Sequence, residues 1–275
     1  TDSVGAGRVL PAAHDAERAG HALPLPSVRV KPRVENLLPA PFAWCEISNK
    51  GYSIAKYPVT NAQFAKFVDA GGYSERKWWT EAGWEAKMKG WAWDEKKGEW
   101  SPTNNAWTQP RYWKDSKWNG AEHPVVGVSW YEAVAFCLWL SEMTGDKITL
   151  PTEDQWQYAA QGDDEREYPW GNEWDCKRCN NSVKPCDSNL TTPVRAYEGK
   201  GDSPLGVVDM AGNVWEWCAT AYETRSNDLN GTDGRVLRGG SWVNGNTDGF
   251  RCDYRDWNDP QFWFILRGFR LALSS

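Results

Sequence analysis

The chain has 275 residues, a formal net charge of −6 and a pI near 5.3. This acidic balance gives no basic surface that could follow phosphates, so no nucleic-acid partner is expected. No apolar run approaches the roughly 18 to 20 residues that cross a bilayer, so no membrane span is expected in this chain. Twenty tryptophans accompany a mean hydropathy of −0.70. Aromatic rings therefore replace the missing aliphatic core, which predicts much irregular loop.

The first segment, residues 1–38, carries four prolines and no sustained apolar period. This composition predicts an extended arm or linker, and a single domain over residues 39–275. Residues 45–48 and 52–57 alternate between apolar and polar side chains, as short strands do. Gly51 lies between them and suits a hairpin turn.

Three helix starts are predicted from capping sequences, in which a hydroxyl residue precedes Glu or Gln by three positions. These are Thr60 to Gln63, Ser129 to Glu132, and Thr152 to Gln155. Glycines at 71–72 and at Gly145 are the expected ends of the first two helices. The helices and short strands together predict an α+β domain.

Residues 73–122 contain nine tryptophans among charged residues and prolines. A long loop packed down by its own rings is the favoured interpretation. A strip on which carbohydrates or nucleotides stack is the alternative.

The seven cysteines are an odd number scattered along a chain that is long enough to fold without staples, so no disulfide framework is expected. Cys176, Cys179 and Cys186 have spacings that could hold zinc. The favoured interpretation is nevertheless a set of small buried or loop thiols, because no second pair of ligands follows.

Seven stretches, taken in order, resemble the signatures of the formylglycine-generating-enzyme (sulfatase-modifying factor) superfamily. They are Tyr52-Ser-Ile-Ala-Lys-Tyr-Pro-Val-Thr-Asn-Ala-Gln-Phe, His123-Pro-Val-Val-Gly-Val-Ser-Trp-Tyr-Glu-Ala, Leu150-Pro-Thr-Glu-Asp-Gln-Trp-Gln-Tyr-Ala-Ala, Tyr168-Pro-Trp-Gly-Asn, Gly206-Val-Val-Asp-Met-Ala-Gly-Asn-Val-Trp-Glu-Trp, Arg238-Gly-Gly-Ser-Trp and Gly268-Phe-Arg-Leu-Ala. The resemblance implies a C-type-lectin-like fold of the formylglycine-generating-enzyme subtype, with a small twisted antiparallel sheet, flanking helices and long loops.

The chain departs from the oxidase branch of this superfamily, which uses two cysteines soon after the Gly-Gly-Ser-aromatic motif to bind copper. Residues 243–250 contain no cysteine, and Cys252 matches a structural position of the family. The iron-dependent branch uses histidines from an extra helical domain, whereas this chain has three scattered histidines. Neither copper nor iron is therefore expected.

The end of the chain is similar to the variable proteins of diversity-generating retroelements, whose last segment is rewritten by adenine-directed mutagenesis. Arg238 to Trp242, Arg251-Cys252, Arg255, Pro260 and Gly268-Phe-Arg270 match the fixed part of such a segment. The resemblance implies a variable region at about 238–270 and these ligand-binding positions: Val243, Gly245, Asp248, Phe250, Asp253, Tyr254, Asp256, Trp257, Asn258, Phe262, Phe264, Ile265 and Leu266. A tryptophan cannot arise from an Asn codon by replacing adenines, so Trp257 fits this pattern poorly.

The residues alone leave two interpretations of the five consecutive apolar residues 262–266. A buried strand is one. Partial exposure is favoured, because the preceding loop mixes aromatic side chains with Asp and Asn, as binding surfaces do.

A calcium loop is the remaining candidate site that the resemblance implies. Asp209 and Glu216 would supply carboxylate oxygens, and Gly212 and Val214 would supply backbone carbonyls to a structural Ca²⁺. The alternative is a turn that is held by hydrogen bonds without a metal.

We therefore predict a non-catalytic, receptor- or adhesin-like protein that binds a protein or other macromolecular ligand through a hypervariable face. A metal-dependent oxidase with relocated ligands and a regulatory domain of a larger protein are the alternatives. A retroelement-diversified protein implies a bacterial or phage origin, and favours the cell surface or the extracellular space over the cytoplasm.

Overall fold

Short helices and strands alternate with long loops along residues 31–274, which with residues 1–2 are the part of the chain that this computed structural model describes. The helices are α1 (Val34–Leu37), α2 (Asn61–Asp69), α3 (Glu81–Lys89), α4 (Trp130–Thr144) and α5 (Glu153–Gln161). The strands are β1 (Trp44–Ile47), β2 (Tyr52–Ala55), β3 (Trp91–Asp94), β4 (Glu99–Pro102), β5 (Ile148–Thr149), β6 (Trp215–Ala221), β7 (Arg235–Arg238), β8 (Asp256–Asn258), β9 (Arg267–Gly268) and β10 (Ala272–Ser274). This mixture confirms the predicted α+β class.

The three predicted capping boxes are all present. The side chains of Thr60, Ser129 and Thr152 each accept a hydrogen bond from the backbone N–H three residues later, and the Gln or Glu there bonds back to the cap. Helix α4 ends at Gly145, which has a φ of +83°, a left-handed conformation that glycine adopts without strain.

Two four-stranded sheets organise the domain. In the first, the strand order is β1-β2-β10-β5 and all pairs are antiparallel, with Gly51 at the predicted turn between β1 and β2. In the second, the order is β8-β7-β6-β9, and β9 runs parallel to β6. Strand β10 thus lies inside the first sheet, between β2 and β5. Strand β9, which precedes it in the chain, is an edge strand of the second sheet.

Residues 73–122 are more regular than the predicted loop. They contain α3 and an antiparallel hairpin of β3 and β4, in which Trp93 lies opposite Trp100. Helix α3 was missed because its apolar residues form no stripe, and Gly83 interrupts the pattern. Trp78, Trp79 and Trp118 are buried as expected, whereas Trp93 is 51% exposed.

Aromatic rings fill the centre of the domain. Phe64 stacks on Phe136 with ring centroids 5.3 Å apart, and Phe269 meets both rings edge-on. Trp130 is fully buried and donates its indole N–H to the carbonyl of Cys218. The predicted replacement of aliphatic by aromatic packing is therefore the actual arrangement.

The favoured interpretation of Cys176, Cys179 and Cys186 as free thiols is wrong for two of them. Cys176 and Cys186 are bonded across ten residues, whereas Cys179 is a buried free thiol. These three side chains therefore do not form a zinc site. Residues 176–186 fold back on themselves around Asn181, whose side-chain amide donates to the carbonyls of Cys176 and Cys179. This turn brings Cys176 close to Cys186.

The predicted arm, residues 1–38, falls mostly on residues 3–30, which lie outside the described part of the chain. Its last residues belong to the domain, because Val34 and Leu38 are buried in the main aromatic core. Within residues 31–274, no helix is both long and apolar enough to span a bilayer.

Candidate binding surface of the C-terminal segment

The C-terminal segment, residues 238–270, begins and ends in the same sheet. It leaves the end of β7, forms the edge strand β8, and returns as β9. Because β7 and β9 flank β6 on its two sides, both ends of the segment are fixed to one strand.

A buried carboxylate, that of Glu153, forms ion pairs with two arginines of the C-terminal segment. Its side chain is 1% exposed and accepts from Arg238 at 2.7 Å, from Arg255 at 2.8 and 3.0 Å, and from Arg225 at 2.8 Å. Glu153 is the first residue of α5, so the helix dipole adds to the stabilisation of its negative charge. Two arginines of the C-terminal segment thus converge on one anion.

Arg238 also fixes the backbone of the segment. Its second guanidinium nitrogen donates to the carbonyls of Cys252 and Tyr254 at 2.9 and 3.0 Å. Arg255 lies over the ring of Tyr222 at 4.1 Å and donates to its carbonyl. The backbone at 252–255 is therefore held by Arg238 and Arg255, and the exposed side chains of Asp253 and Tyr254 take no part in these hydrogen bonds.

The far end of the segment is held in the same way. Arg270 is fully buried and forms an ion pair with Glu216 at 2.6 Å. A side chain at Gly268 would place its Cβ 2.9 Å from the carbonyl oxygen of Val125, so only glycine fits there. The carbonyl of the buried Pro260 accepts the N–H of Trp130 at the start of α4.

Most of the predicted ligand-binding positions before β9 are open to solvent. Val243, Tyr254 and Trp257 are 45, 40 and 47% exposed. Other exposed positions are Gly245, Asp248, Asp253 and Asp256. Phe250 is the exception and needs correction, because it is fully buried and stacks on Trp174 at 5.0 Å. Its large ring fills a small core instead of facing a ligand.

Strand β8 separates two of the predicted positions. Asp256 pairs with Leu237 and Trp257 with Val236, so their side chains point to opposite faces of the sheet. Trp257 packs against Tyr222, 5.9 Å away, on the side away from Asp256. Asn258 is half-buried on the face of Asp256. The thirteen predicted positions therefore do not form one surface.

The apolar residues Phe262, Phe264, Ile265 and Leu266 are half-buried and lie outside any strand, as the favoured interpretation predicted. Phe262 and Phe264 contact the hairpin of β3 and β4, whereas Ile265 and Leu266 pack against core clusters. Trp100 stacks on Phe262 at 4.6 Å and meets Phe264 edge-on at 5.2 Å. The hairpin thus extends the aromatic surface of the segment, and the exposed Trp93 lies beside it.

Arg267 underlies this aromatic surface. Its guanidinium lies 4.1 Å from the ring of Phe264 and 5.4 Å from that of Trp217. Burial lowers the pKa of Arg267 to about 9, although the charge of Asp256 acts in the opposite direction. Arg267 therefore contacts one ring of the C-terminal segment and one ring of β6.

The predicted calcium loop fits an ion only in part. Asp209 is buried, and its Oδ1 has no hydrogen-bond partner, as a free ligand oxygen would. Both oxygens of Glu216, in contrast, accept from Arg270, which neutralises that carboxylate. The described residues include no cluster of three or more His, Cys, Asp or Glu side chains able to hold a metal.

Two determinants of the surface are not predicted from the sequence. Glu153 lies inside a capping sequence, and no residue pattern pairs it with arginines 72 to 102 positions away. In the hairpin at 91–102 each strand has four residues, which is too short for its alternation to distinguish it from the predicted loop.

Comparison with known proteins identifies the family to which this fold belongs. Residues 27–275 match the sulfatase-modifying factor enzyme 1-like domain. The chain belongs to this family. The inactive Cα-formylglycine-generating enzyme 2 of Bos taurus is 34% identical over 255 residues, covering 82% of this chain and 78% of that protein.

Two further proteins that are similar to this chain have names that report different roles. The hercynine oxygenase of Mycobacterium tuberculosis is 31% identical over 254 residues, and the match spans 80% of this chain but 52% of the oxygenase. Among solved structures, Treponema denticola variable protein 1 superposes with a TM-score of 0.54 at 21% identity, covering 82% of this chain and 84% of that one. The last likeness supports the C-type-lectin-like fold of the formylglycine-generating-enzyme superfamily.

Proposed function

We propose that this chain is a non-catalytic binding domain whose C-terminal segment presents exchangeable residues to a protein or other macromolecular ligand. The observation that carries the proposal is that, within residues 238–270, arginines hold the backbone while other positions are exposed to solvent. Arg238, Arg255 and Arg270 hold the backbone through Glu153 and Glu216. The exposed positions between these arginines then remain free to change.

The chemistry of the exposed positions supports binding. The exposed Tyr254 offers a large ring at a low cost in side-chain entropy, between the exposed Asp253 and Asp256 in sequence, and the half-buried Phe262 and Phe264 add apolar surface. Such a mixture is typical of the contact surfaces of binding proteins, where a few aromatic residues carry most of the affinity. Trp93 and Trp100 of the hairpin enlarge the apolar part of this surface.

The residues soon after the Gly-Gly-Ser-Trp motif support a role without catalysis. Residues 243–250 contain no thiol, and Cys252 is 1% exposed within an apolar cluster. Burial raises the pKa of the Cys252 thiol to about 12, so the metal-binding thiolate form is disfavoured.

A display library tests the proposal directly. Positions 243, 245, 248, 253, 254 and 256 would be randomised together and selected for binding to several unrelated proteins. We expect folded binders to emerge against more than one target. A matched library at Arg238, Arg255 and Glu153 should yield mostly unfolded chains. Equal loss of folding in both libraries would contradict the proposed division.

Diversification by a retroelement has its own test. Near-copies of the gene should differ chiefly at the exposed positions of residues 238–270, and a reverse transcriptase with a template repeat should lie nearby. Sequencing the surrounding DNA tests this expectation. If neither a reverse transcriptase nor a template repeat is found, the diversification hypothesis is refuted, and the display library still tests binding.

A metal-dependent oxidase is the second candidate, favoured by the 31% identity to a hercynine oxygenase. Titration with copper or iron, followed by oxygen uptake, tests it. Metal uptake with turnover would replace the binding proposal. The chain spans about half of that oxygenase, so a regulatory domain within a longer protein is a further candidate. Ligand binding that survives Phe262→Ala, Phe264→Ala and Leu266→Ala together would favour this role.

A further inference from the structure

A second concave site lies beside the C-terminal segment, on the inner side of the β3–β4 hairpin. Its cavity has a volume of about 380 Å³, which is within the usual size range of small-molecule sites. Half-buried Trp91 and Trp107 form part of its wall, and Trp263 closes one side. None of the exposed predicted positions of the C-terminal segment lines it.

The rim of this cavity carries polar side chains from one short stretch, residues 105–109. Asn105, Thr108 and Gln109 all line the cavity, and their side chains make no hydrogen bond with any described residue. Amide and hydroxyl groups both donate and accept, so this rim suits a ligand with several hydroxyl groups. An apolar ligand would leave these groups unpaired at a cost in free energy.

The charges around the cavity favour neither an anionic nor a cationic ligand. Glu132 lies at its base, 2% exposed, where it accepts hydrogen bonds from the hydroxyl of Tyr73 and the N–H of Ser129. Arg111, which lies over the Trp263 ring at 4.9 Å, is the other charged residue in the lining. The two opposite charges balance, so the lining gives neither an anion nor a cation an advantage over a neutral ligand.

We propose that the cavity bounded by Trp91, Trp107 and Gln109 binds a neutral carbohydrate. The faces of the indole rings match the apolar C–H faces of a pyranose ring, and the amides and hydroxyls at the rim match its hydroxyl groups. This site is fixed by the hairpin and by α4. The protein therefore combines a constant sugar site with an exchangeable surface next to it.

A glycan array of neutral, sulfated, sialylated and amino sugars tests the proposal. We expect a neutral glycan to give the strongest signal, and the double variant Thr108→Ala, Gln109→Ala to weaken its calorimetric Kd at least tenfold. Trp107→Ala should weaken it as well, with thermal melting as a check that the variant is folded. Binding of no glycan above background, or stronger binding of a charged one, would overturn the proposal.

Two control variants separate this site from its surroundings. Trp93→Ala removes a 51% exposed ring from the same hairpin outside the cavity, and should leave the glycan Kd unchanged. Tyr254→Ser changes the C-terminal segment and should also have no effect. Loss of sugar binding in Tyr254→Ser, with Gln109→Ala unaffected, would move the site to the C-terminal surface and refute the cavity.

Discussion

The arginines and the exposed residues of the C-terminal segment are neighbours in sequence but have opposite physical roles. Arg238 is 2% exposed and pairs with a carboxylate that is 1% exposed, whereas Tyr254 and Val243 are 40 and 45% exposed. A buried ion pair is costly to break, because one charge is left without a partner in a poorly solvated place. An exposed side chain has no such constraint. Stability can therefore depend on some positions of the segment, and the proposed recognition on others.

The largest effect should follow removal of the shared anion. Glu153→Ala leaves Arg238 buried without its counter-charge and also releases Arg255, so we expect a loss of about 3–5 kcal/mol in the free energy of unfolding. Urea denaturation measures this. Asp154→Ala, which changes the exposed neighbour that pairs only with Arg225, should cost less than about 0.5 kcal/mol. Similar losses in the two variants would show that Glu153 does not hold the segment.

A pH-dependent effect is expected at Glu132, the base of the cavity. Burial raises its pKa from 4.5 to about 7, so the folded state loses stability as the pH rises through this range and no further above it. The difference amounts to up to about 3 kcal/mol. Glu132→Gln should remove this part of the slope between pH 4.5 and 8, as measured by urea denaturation at several pH values.

The control for Glu132 is Glu85→Gln, which changes an exposed carboxylate paired with Lys89 and should leave the slope unchanged. Burial also raises the pKa of Asp209 to about 7, but this group titrates in every variant and cancels in the difference. An unchanged slope in Glu132→Gln would mean that the carboxyl stays neutral, or stays ionised, throughout the range.

The calcium prediction concerns the turn at Asp209, whose backbone carbonyl accepts a hydrogen bond from Arg270 at the end of the C-terminal segment. If Asp209 binds Ca²⁺, an excess of 100 times Kd stabilises the fold by about 2.7 kcal/mol, which raises Tm by about 5–10 °C. Asp209→Asn should abolish this increase while keeping the turn, because Asn tolerates the φ of +56° at this position. Identical melting in calcium and in a chelator would refute the metal, and the turn would then be held by Asn213.

The smallest effects are expected at the exchangeable positions. Val243→Asp, Asp253→Ser and Tyr254→Ser should each change the free energy of unfolding by less than about 0.5 kcal/mol. Phe250→Ser, in the same segment but fully buried, should cost about 3–5 kcal/mol. Comparable losses at Tyr254 and Phe250 would erase the contrast between held and exchangeable positions.

Local signals in the sequence predicted local structure well. The capping boxes at Thr60, Ser129 and Thr152 act over three residues, so they can be recognised without knowledge of the fold. The Glu153 cluster joins residues 72 to 102 positions apart, and no pattern of residues announces such a pair. The family resemblance predicted the fold, but the sequence did not predict the burial of Phe250 or the opposite orientation of Asp256 and Trp257, because both depend on strand pairing and side-chain packing.

The Cys176–Cys186 bond and the hairpin at 91–102 were missed for a related reason. Each depends on a turn whose residues are also common in loops. In the hairpin, strands of four residues are too short for alternation to be distinctive, and tryptophans occur on both faces.

Both ends of the C-terminal segment adjoin the same strand, β6. Since β7 and β9 both hydrogen-bond to β6, the span between them is a closed loop whose ends stay in place whatever its contour. The entropy of closing such a loop changes slowly with length, by only about 0.6 kcal/mol for a doubling. We therefore expect residues to be inserted or deleted near Gly245 without loss of the sheet, so that homologous domains can differ in the reach of this surface as well as in its composition.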